Sequence, residues 1–251
     1  MKAEFAHLEA TLKAVGQRGP VLYLADYGNW GDGLIRAGTR RFLADIGIEY
    51  TETQHVSRGE RWLPWRRKGT LLYGGSGAWC NFWSHGQQTI QKVGHLFEHV
   101  VVLPSTFEMK LDLPKIDLFC RDRFESQANA PAAVFCHDMA FCLGPQDYPA
   151  GTGTGWFLRT DKESANRLPI PASNVDLSLL GDHLSPAGPF FEAIAKYDVI
   201  HTDRLHVAIG ACLVGRELHL YPGGYFKNRA LFRSSMEGHF PNVHFHETAG
   251  P

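Results

Sequence analysis

The chain has 251 residues, 44% of them hydrophobic, with a formal net charge of −1 and a mean hydropathy of −0.22. That length suffices for one large α/β domain or two small ones, each with a real core. The balanced charge implies no nucleic-acid or polyanion surface by totals, and no apolar run is long enough to cross a bilayer.

The five cysteines at 80, 120, 136, 142 and 212 include no CxxC pair. They read as reduced core residues of a cytosolic protein, giving neither a disulfide frame nor a zinc site. Residues 1–15 carry Lys2, Glu4, Glu9 and Lys13 through an amphipathic pattern and lack the apolar core of a signal peptide.

Residues 21–25 read as a strand, 26–32 as a loop and 33–46 as a helix stopped by Gly47, with Asp32 as its N-cap. Residues 48–53 form the next strand. The opening is Rossmann-like, but Gly28, Gly31 and Gly33 do not have the G-x-G-x-x-G spacing, which disfavours a dinucleotide. The loop Gly28-Asn29-Trp30-Gly31-Asp32 still lets backbone approach a ligand closely, because glycine carries no Cβ. Residues 55–68 place Arg58, Arg61, Arg66, Arg67 and Lys68 around Trp62 and Trp65. That segment is a solvated face or a contact for the headgroup of a membrane-borne substrate.

A third strand at 69–73 ends in Gly74-Gly75-Ser76-Gly77 and then Trp79, Phe82 and Trp83. A glycine-rich strand end followed by aromatics suits a sugar, which makes Gly75, Ser76 and Trp79 acceptor-binding candidates; the same aromatics also suit a core. A helix at 87–98 and strands at 100–103, 116–120 and 133–136 complete a six-stranded doubly wound sheet. The turn-rich run 145–155 reads as the linker between domains 1–148 and 149–251. The second domain is predicted to hold strands at 156–158, near 175–177, at 198–201, 217–221 and 242–246, with helices at 190–197 and 204–214.

The stretch 198–222 is one β-α-β unit, with Thr202 and Asp203 as N-cap residues and Gly215 as the stop. Arg204 and His206 fall in the first helical turn, where unpaired N–H groups and the helix dipole favour an anion. A surface pair of Arg204 with Asp203 or Asp198 is the alternative.

Thr202-Asp203-Arg204-Leu205-His206, the Gly28–Asp32 loop, and Arg121-Asp122 with Ser126 together resemble the polysaccharide pyruvyl transferases over residues 21–228. The resemblance implies transfer of pyruvate from phosphoenolpyruvate to a hydroxyl pair of a cell-surface glycan or exopolysaccharide precursor. It also implies that Arg121, Arg204 and His206 bind the donor. Phosphoenolpyruvate is a small multiply charged anion, for which arginine forks are the best partners. Arg159 and Lys227 join the donor set from their own placement, against the alternatives of a surface pair with Asp161 and a solvated lysine. His206 is the candidate acid and Asp32 the candidate base, while Asn29 and Gly31 line the acceptor side.

The expected fold is α/β, with two Rossmann-like parallel-sheet domains facing a cleft in a GT-B-like arrangement. The first would take the acceptor and the second the donor. No cofactor or metal is required beyond phosphoenolpyruvate as donor substrate. The expected partners are that donor and a saccharide acceptor, lipid-linked at the inner membrane face, with no nucleic acid; the expected location is cytoplasmic. Two alternatives stay open: a nucleotide-sugar glycosyltransferase of the same architecture, and a non-catalytic family member serving as scaffold or sensor.

Overall fold

The computed structural model describes residues 2–56, 69–113, 115–165 and 169–247. The basic-aromatic segment lies almost wholly outside them, at 57–68. The chain divides into two compact units: unit 1 is Met1–Tyr27 with Gly38–Met139, and unit 2 is Gly28–Ala37 with Ala140–Pro251.

Unit 1 is a parallel sheet of six strands: β1 (Val21–Leu24), β2 (Tyr50–Thr53), β3 (Thr70–Tyr73), β4 (His99–Ser105), β5 (Asp117–Cys120) and β6 (Val134–Phe135). Their order is β2-β1-β3-β4-β5-β6. β1 and β3 are buried along their whole length, as apolar runs in a parallel sheet must be when helices cover both faces. Helix α1 (Ala6–Gly16) precedes β1, and α2 (Trp30–Asp45), α3 (His85–Val93) and α4 (Glu125–Asn129) lie in the β1–β2, β3–β4 and β5–β6 crossovers. One core cluster joins Leu22, Leu71, Val100, Val102 and Leu118 of the strands to Ile90 and Val93 of α3.

Unit 2 has a four-stranded parallel sheet, ordered β10-β9-β8-β7, from β7 (Thr154–Phe157), β8 (Val199–Thr202), β9 (Glu217–Leu220) and β10 (Val243–Phe245). Its helices are α5 (Ala187–Ala195), α6 (Leu205–Val214) and the short α7 (Lys227–Leu231). α6 is buried on every side, with His206 alone half-exposed. Gly210 lets it sit close to α5, since a Cβ there would stand 2.6 Å from Ile194 Cδ1. Gly215 ends it in the left-handed conformation at φ 75°, as its position predicts.

Three sequence expectations change. The strand near 175–177 does not form: a 3₁₀ turn spans Leu177–Leu180 instead, and the Asp176 carboxylate accepts the Thr160 N–H and hydroxyl. The unit boundary falls after Met139, ahead of the turn-rich run, because that run packs on unit 2. There Gln146 N–H donates to Leu213 O, Thr152 N–H donates to Lys196 O, and Phe141 stacks on Phe240.

The third change brings Gly28–Ala37 into unit 2. Trp30 Nε1 donates to Pro186 O, its ring meets Phe190 edge-on at 5.4 Å, and Asn29 bridges to Asp182. The helix α2 therefore starts at Trp30, with Asn29 as N-cap and Asp32 as its third residue. Asn29 Oδ1 accepts the Gly31 N–H at 2.8 Å, and Asp32 Oδ2 accepts the Asn29 N–H at 2.9 Å. This is a reciprocal capping box with Asp32 on its inner side, one that a loop ending in an Asp32 cap does not anticipate.

Candidate functional site

The turn between β8 and α6 is held from three directions. Thr202 Oγ1 donates to Phe157 O at 2.7 Å and accepts the Arg204 N–H at 2.9 Å. Asp203 Oδ1 accepts the Arg159 N–H at 2.7 Å, which ties the end of β7 to the end of β8. Burial pushes the Asp203 carboxyl up from its ordinary range, although the Arg159 N–H and the charges of Arg159 and Arg204 oppose this. Asn228 Nδ2 donates to Asp203 O and Tyr221 O, and so fixes the start of α7 to the same turn. Arg204 itself is the N-cap of α6, in place of Thr202 or Asp203.

The structure gathers the three predicted cations of unit 2 and supplies each with a carboxylate. Arg204, 3% exposed, makes a fork onto Asp176: Nε to Oδ1 is 2.8 Å and Nη2 to Oδ2 is 2.6 Å. Its Nη1 lies 2.8 Å from Asp161 Oδ2. Burial disfavours the guanidinium charge, yet Asp176 and Asp161 outweigh it and raise the pKa. Arg159 donates to Glu163 through Nη1 and lies 3.1 Å from Asp161 Oδ1 through Nε.

Lys227 donates from Nζ to the same Glu163 Oε2 at 2.7 Å. Burial works against the Glu163 charge, but Lys227 and Arg159 hold its carboxyl far below the usual range. Of the alternatives read from sequence, the Arg159 pair is met in part and the solvated Lys227 is not. Arg159 does pair with Asp161, but inside the unit, and Lys227 is buried against Glu163 and not solvated.

His206, the second residue of α6, meets the Gly28–Asp32 loop. A Cβ on Gly31 would overlap its Nδ1 and stand 2.8 Å from Cγ and 2.9 Å from its Cβ. Only glycine leaves room for the imidazole, so two motifs far apart in sequence share one surface of unit 2. Asn29, Gly31 and Asp32 are therefore held beside His206 by the capping box, with one Asp32 oxygen engaged by the Asn29 N–H.

The predicted residues of unit 1 stand differently. Arg121 is 1% exposed, with Nε on Thr106 Oγ1 and Nη1 on Asp138 Oδ2 at 2.7 Å. The neighbouring Asp122 accepts the N–H groups of Phe124 and Ser126, and Ser126 Oγ accepts the Phe107 N–H. The whole Arg-Asp…Ser motif is engaged in holding β4, β5 and α4 together.

Trp79, proposed for a sugar face, is fully buried and packs edge-on against Tyr73 and Phe107, so it is a core residue. Gly75 and Ser76 are buried as well. Ser76 Oγ accepts the Ala78 N–H, and its own N–H donates to Ser105 Oγ. The glycines let this strand end fold over the core, which leaves none of the three to touch a ligand.

Sequence reasoning named Asp161 only as a surface partner of Arg159, and it missed Glu163 and Asp176. The signal for Asp161 and Glu163 is their spacing two and four residues after Arg159; Asp176 lies in an irregular segment that no periodicity marks. Among the described residues no group of three or more ligating side chains can hold a metal, and no helix is long and apolar enough to cross a membrane.

No protein-family model matches the chain, and no curated protein matches it. Among solved structures it is similar to a functionally uncharacterized protein from Klebsiella pneumoniae subsp. pneumoniae, with 25% sequence identity and a TM-score of 0.82. The likeness covers 98% of this chain and 99% of that one.

Proposed function

We propose that the chain is a pyruvyltransferase, moving pyruvate from phosphoenolpyruvate to a hydroxyl pair of a surface-glycan precursor. The observation that carries this reading is the packing of Gly31 against the His206 ring. It joins the Gly-Asn-Trp-Gly-Asp and Asp-Arg-Leu-His motifs, the two on which the family resemblance chiefly rests, in one unit.

The β8–α6 turn takes the donor at its phosphate or carboxylate. Asp161 is shared by Arg159 and Arg204 and its side chain is 22% exposed, against 7% for Asp176 and 5% for Glu163. It is the carboxylate an incoming anion displaces, while Asp176 keeps the Arg204 fork in place. His206 protonates the enol methylene as a sugar hydroxyl attacks the adjoining carbon. Phosphate then leaves as the second hydroxyl closes the ketal, with Asp32 as the candidate base. The proposal includes a GT-B-like arrangement of the two units and a saccharide acceptor, lipid-linked at the membrane face.

A thermal-shift comparison tests the donor. A ligand that binds the native state raises stability in proportion to RT ln(1 + [L]/Kd). Phosphoenolpyruvate should raise Tm more than a panel of nucleotide sugars at equal concentration. A larger shift with a nucleotide sugar would favour the glycosyltransferase reading.

A further inference from the structure

At β1 and β3 the order of the six-stranded sheet reverses. Open α/β sheets bind ligands at such a reversal, beyond the carboxyl ends of the strands. Here Asp26 follows β1, Tyr73 ends β3 and His85 opens α3. Asp26 Oδ1 accepts the Tyr73 hydroxyl at 2.6 Å and the Tyr27 N–H at 3.1 Å, and it lies 3.1 Å from His85 Nε2. Burial, with the neighbouring Asp26 charge, raises the Tyr73 pKa and keeps its hydroxyl protonated as a donor.

Asp26 is 5% exposed, and its Oδ2 is buried with no hydrogen-bond partner among the described residues. Leaving a buried carboxylate oxygen without a donor is costly, and such groups persist where a function uses them. The backbone also closes in tightly, since a Cβ on Gly74 would stand 2.8 Å from Asp26 N.

The Tyr27 ring stacks on the His85 ring at 4.2 Å and 25°. It is nevertheless 59% exposed, with its backbone N–H fixed to Asp26. An exposed aromatic ring, an imidazole and a buried carboxylate in one place match a saccharide: the apolar C–H face lies on the ring and the hydroxyls reach the polar groups.

We propose that Tyr27, His85 and Asp26 bind a saccharide, with its C–H face on Tyr27 and a hydroxyl hydrogen-bonded to the His85–Asp26 pair. The site rests on the pyruvyltransferase reading only for its role as acceptor site; the binding itself stands without that reading. It takes the place in unit 1 that the buried Gly75, Ser76 and Trp79 cannot fill.

Saturation-transfer NMR with the methyl glycosides of glucose, galactose and mannose, without phosphoenolpyruvate, tests the site. At least one glycoside should receive saturation at its C–H protons from the parent protein. Tyr27→Ala, at an exposed position, should keep the fold and weaken that binding by roughly threefold to tenfold. His85→Phe keeps the stacked ring but should also weaken it through the lost hydroxyl contact. The thermal shift given by phosphoenolpyruvate should be the same in all three proteins. No saturation of any glycoside by the parent, or parent-like binding by either variant, would overturn the site. Sugar binding without a phosphoenolpyruvate shift in the parent would remove the donor reading and leave this site standing.

Discussion

The imidazole of His206 occupies the space that any side chain at Gly31 would need, with ring Cγ 2.8 Å from the position of a Cβ there. Gly31 lies in the first turn of α2, where alanine is the better helix former by about 1 kcal/mol. The overlap reaches the His206 Cβ as well as the ring, so Gly31→Ala should displace the ring and lower Tm modestly in spite of that gain. Turnover should fall by roughly 10- to 100-fold, the scale of a misplaced catalytic group. Parent-like turnover in a folded Gly31→Ala protein would separate the ring's position from the chemistry.

His206→Gln retains a hydrogen-bonding side chain of similar reach but cannot deliver a proton near neutral pH. Turnover should drop by about 10² to 10⁴, with donor affinity changed much less. The parent's kcat should fall on the alkaline side of its pH profile, as an acid-dependent step requires, and the variant should lack that limb. If affinity and turnover fall together with an unchanged pH profile, His206 binds the donor without acting as the acid.

Asp161 and Arg204 make opposite predictions for donor affinity. Arg204→Lys cannot reproduce the guanidinium fork and should weaken phosphoenolpyruvate binding, as measured by calorimetry. Asp161→Asn removes the carboxylate that competes for Arg159 and Arg204. A partly exposed ion pair contributes about 0.2–1 kcal/mol, so affinity should rise up to roughly fivefold. Weaker binding in Asp161→Asn would mean that Asp161 holds the arginines in place for the donor and does not compete with it.

The buried pair of Arg121 and Asp138 is assigned to stability. Arg121→Ala removes the guanidinium from a buried ion pair and should cost about 3–5 kcal/mol, read as a lower urea midpoint. Where the variant still folds, phosphoenolpyruvate affinity should be that of the parent. Lost affinity with parent-like stability would return Arg121 to the donor site.

His201 sets a pH dependence of stability. It stacks on Trp156 at 4.1 Å and on His219 at 4.5 Å. Burial, with the charges of His219 and His246, lowers its pKa to about 4. The unfolded chain takes up this proton near pH 6.5, whereas the folded chain resists it until about pH 4. Stability should thus be fullest above pH 6.5 and fall as pH drops toward 4. His201 is half-exposed, so the loss is limited to about 1 kcal/mol. Urea midpoints between pH 7.5 and 5 should show the decline, and His201→Phe should flatten it. An equal decline in the variant would move the effect to the neighbouring histidines.

Strand positions were legible because parallel strands covered on both faces appear as short apolar runs, as at residues 21–24 and 70–73. The start of α2 was not legible, since Asn29 and Asp32 sit among glycines that look like a loop until their reciprocal hydrogen bonds are seen. Trp79 after a glycine-rich strand end fits a sugar platform and a core equally well in sequence, and only its packing against Tyr73 and Phe107 decides. The cations of the β8–α6 turn were legible from their places near strand ends. Asp161 was legible only as a partner of Arg159, and its second contact with Arg204 was not; Asp176 was not legible, because it lies in an irregular segment where no period marks which way a side chain faces.

The most direct test of pyruvyl transfer follows phosphorus by ³¹P NMR, with phosphoenolpyruvate, a mixture of nucleotide sugars and the three methyl glycosides present together. The account predicts consumption of phosphoenolpyruvate with release of inorganic phosphate, intact nucleotide sugars, and loss of the reaction in His206→Gln. Release of nucleoside diphosphate with phosphoenolpyruvate untouched would contradict it.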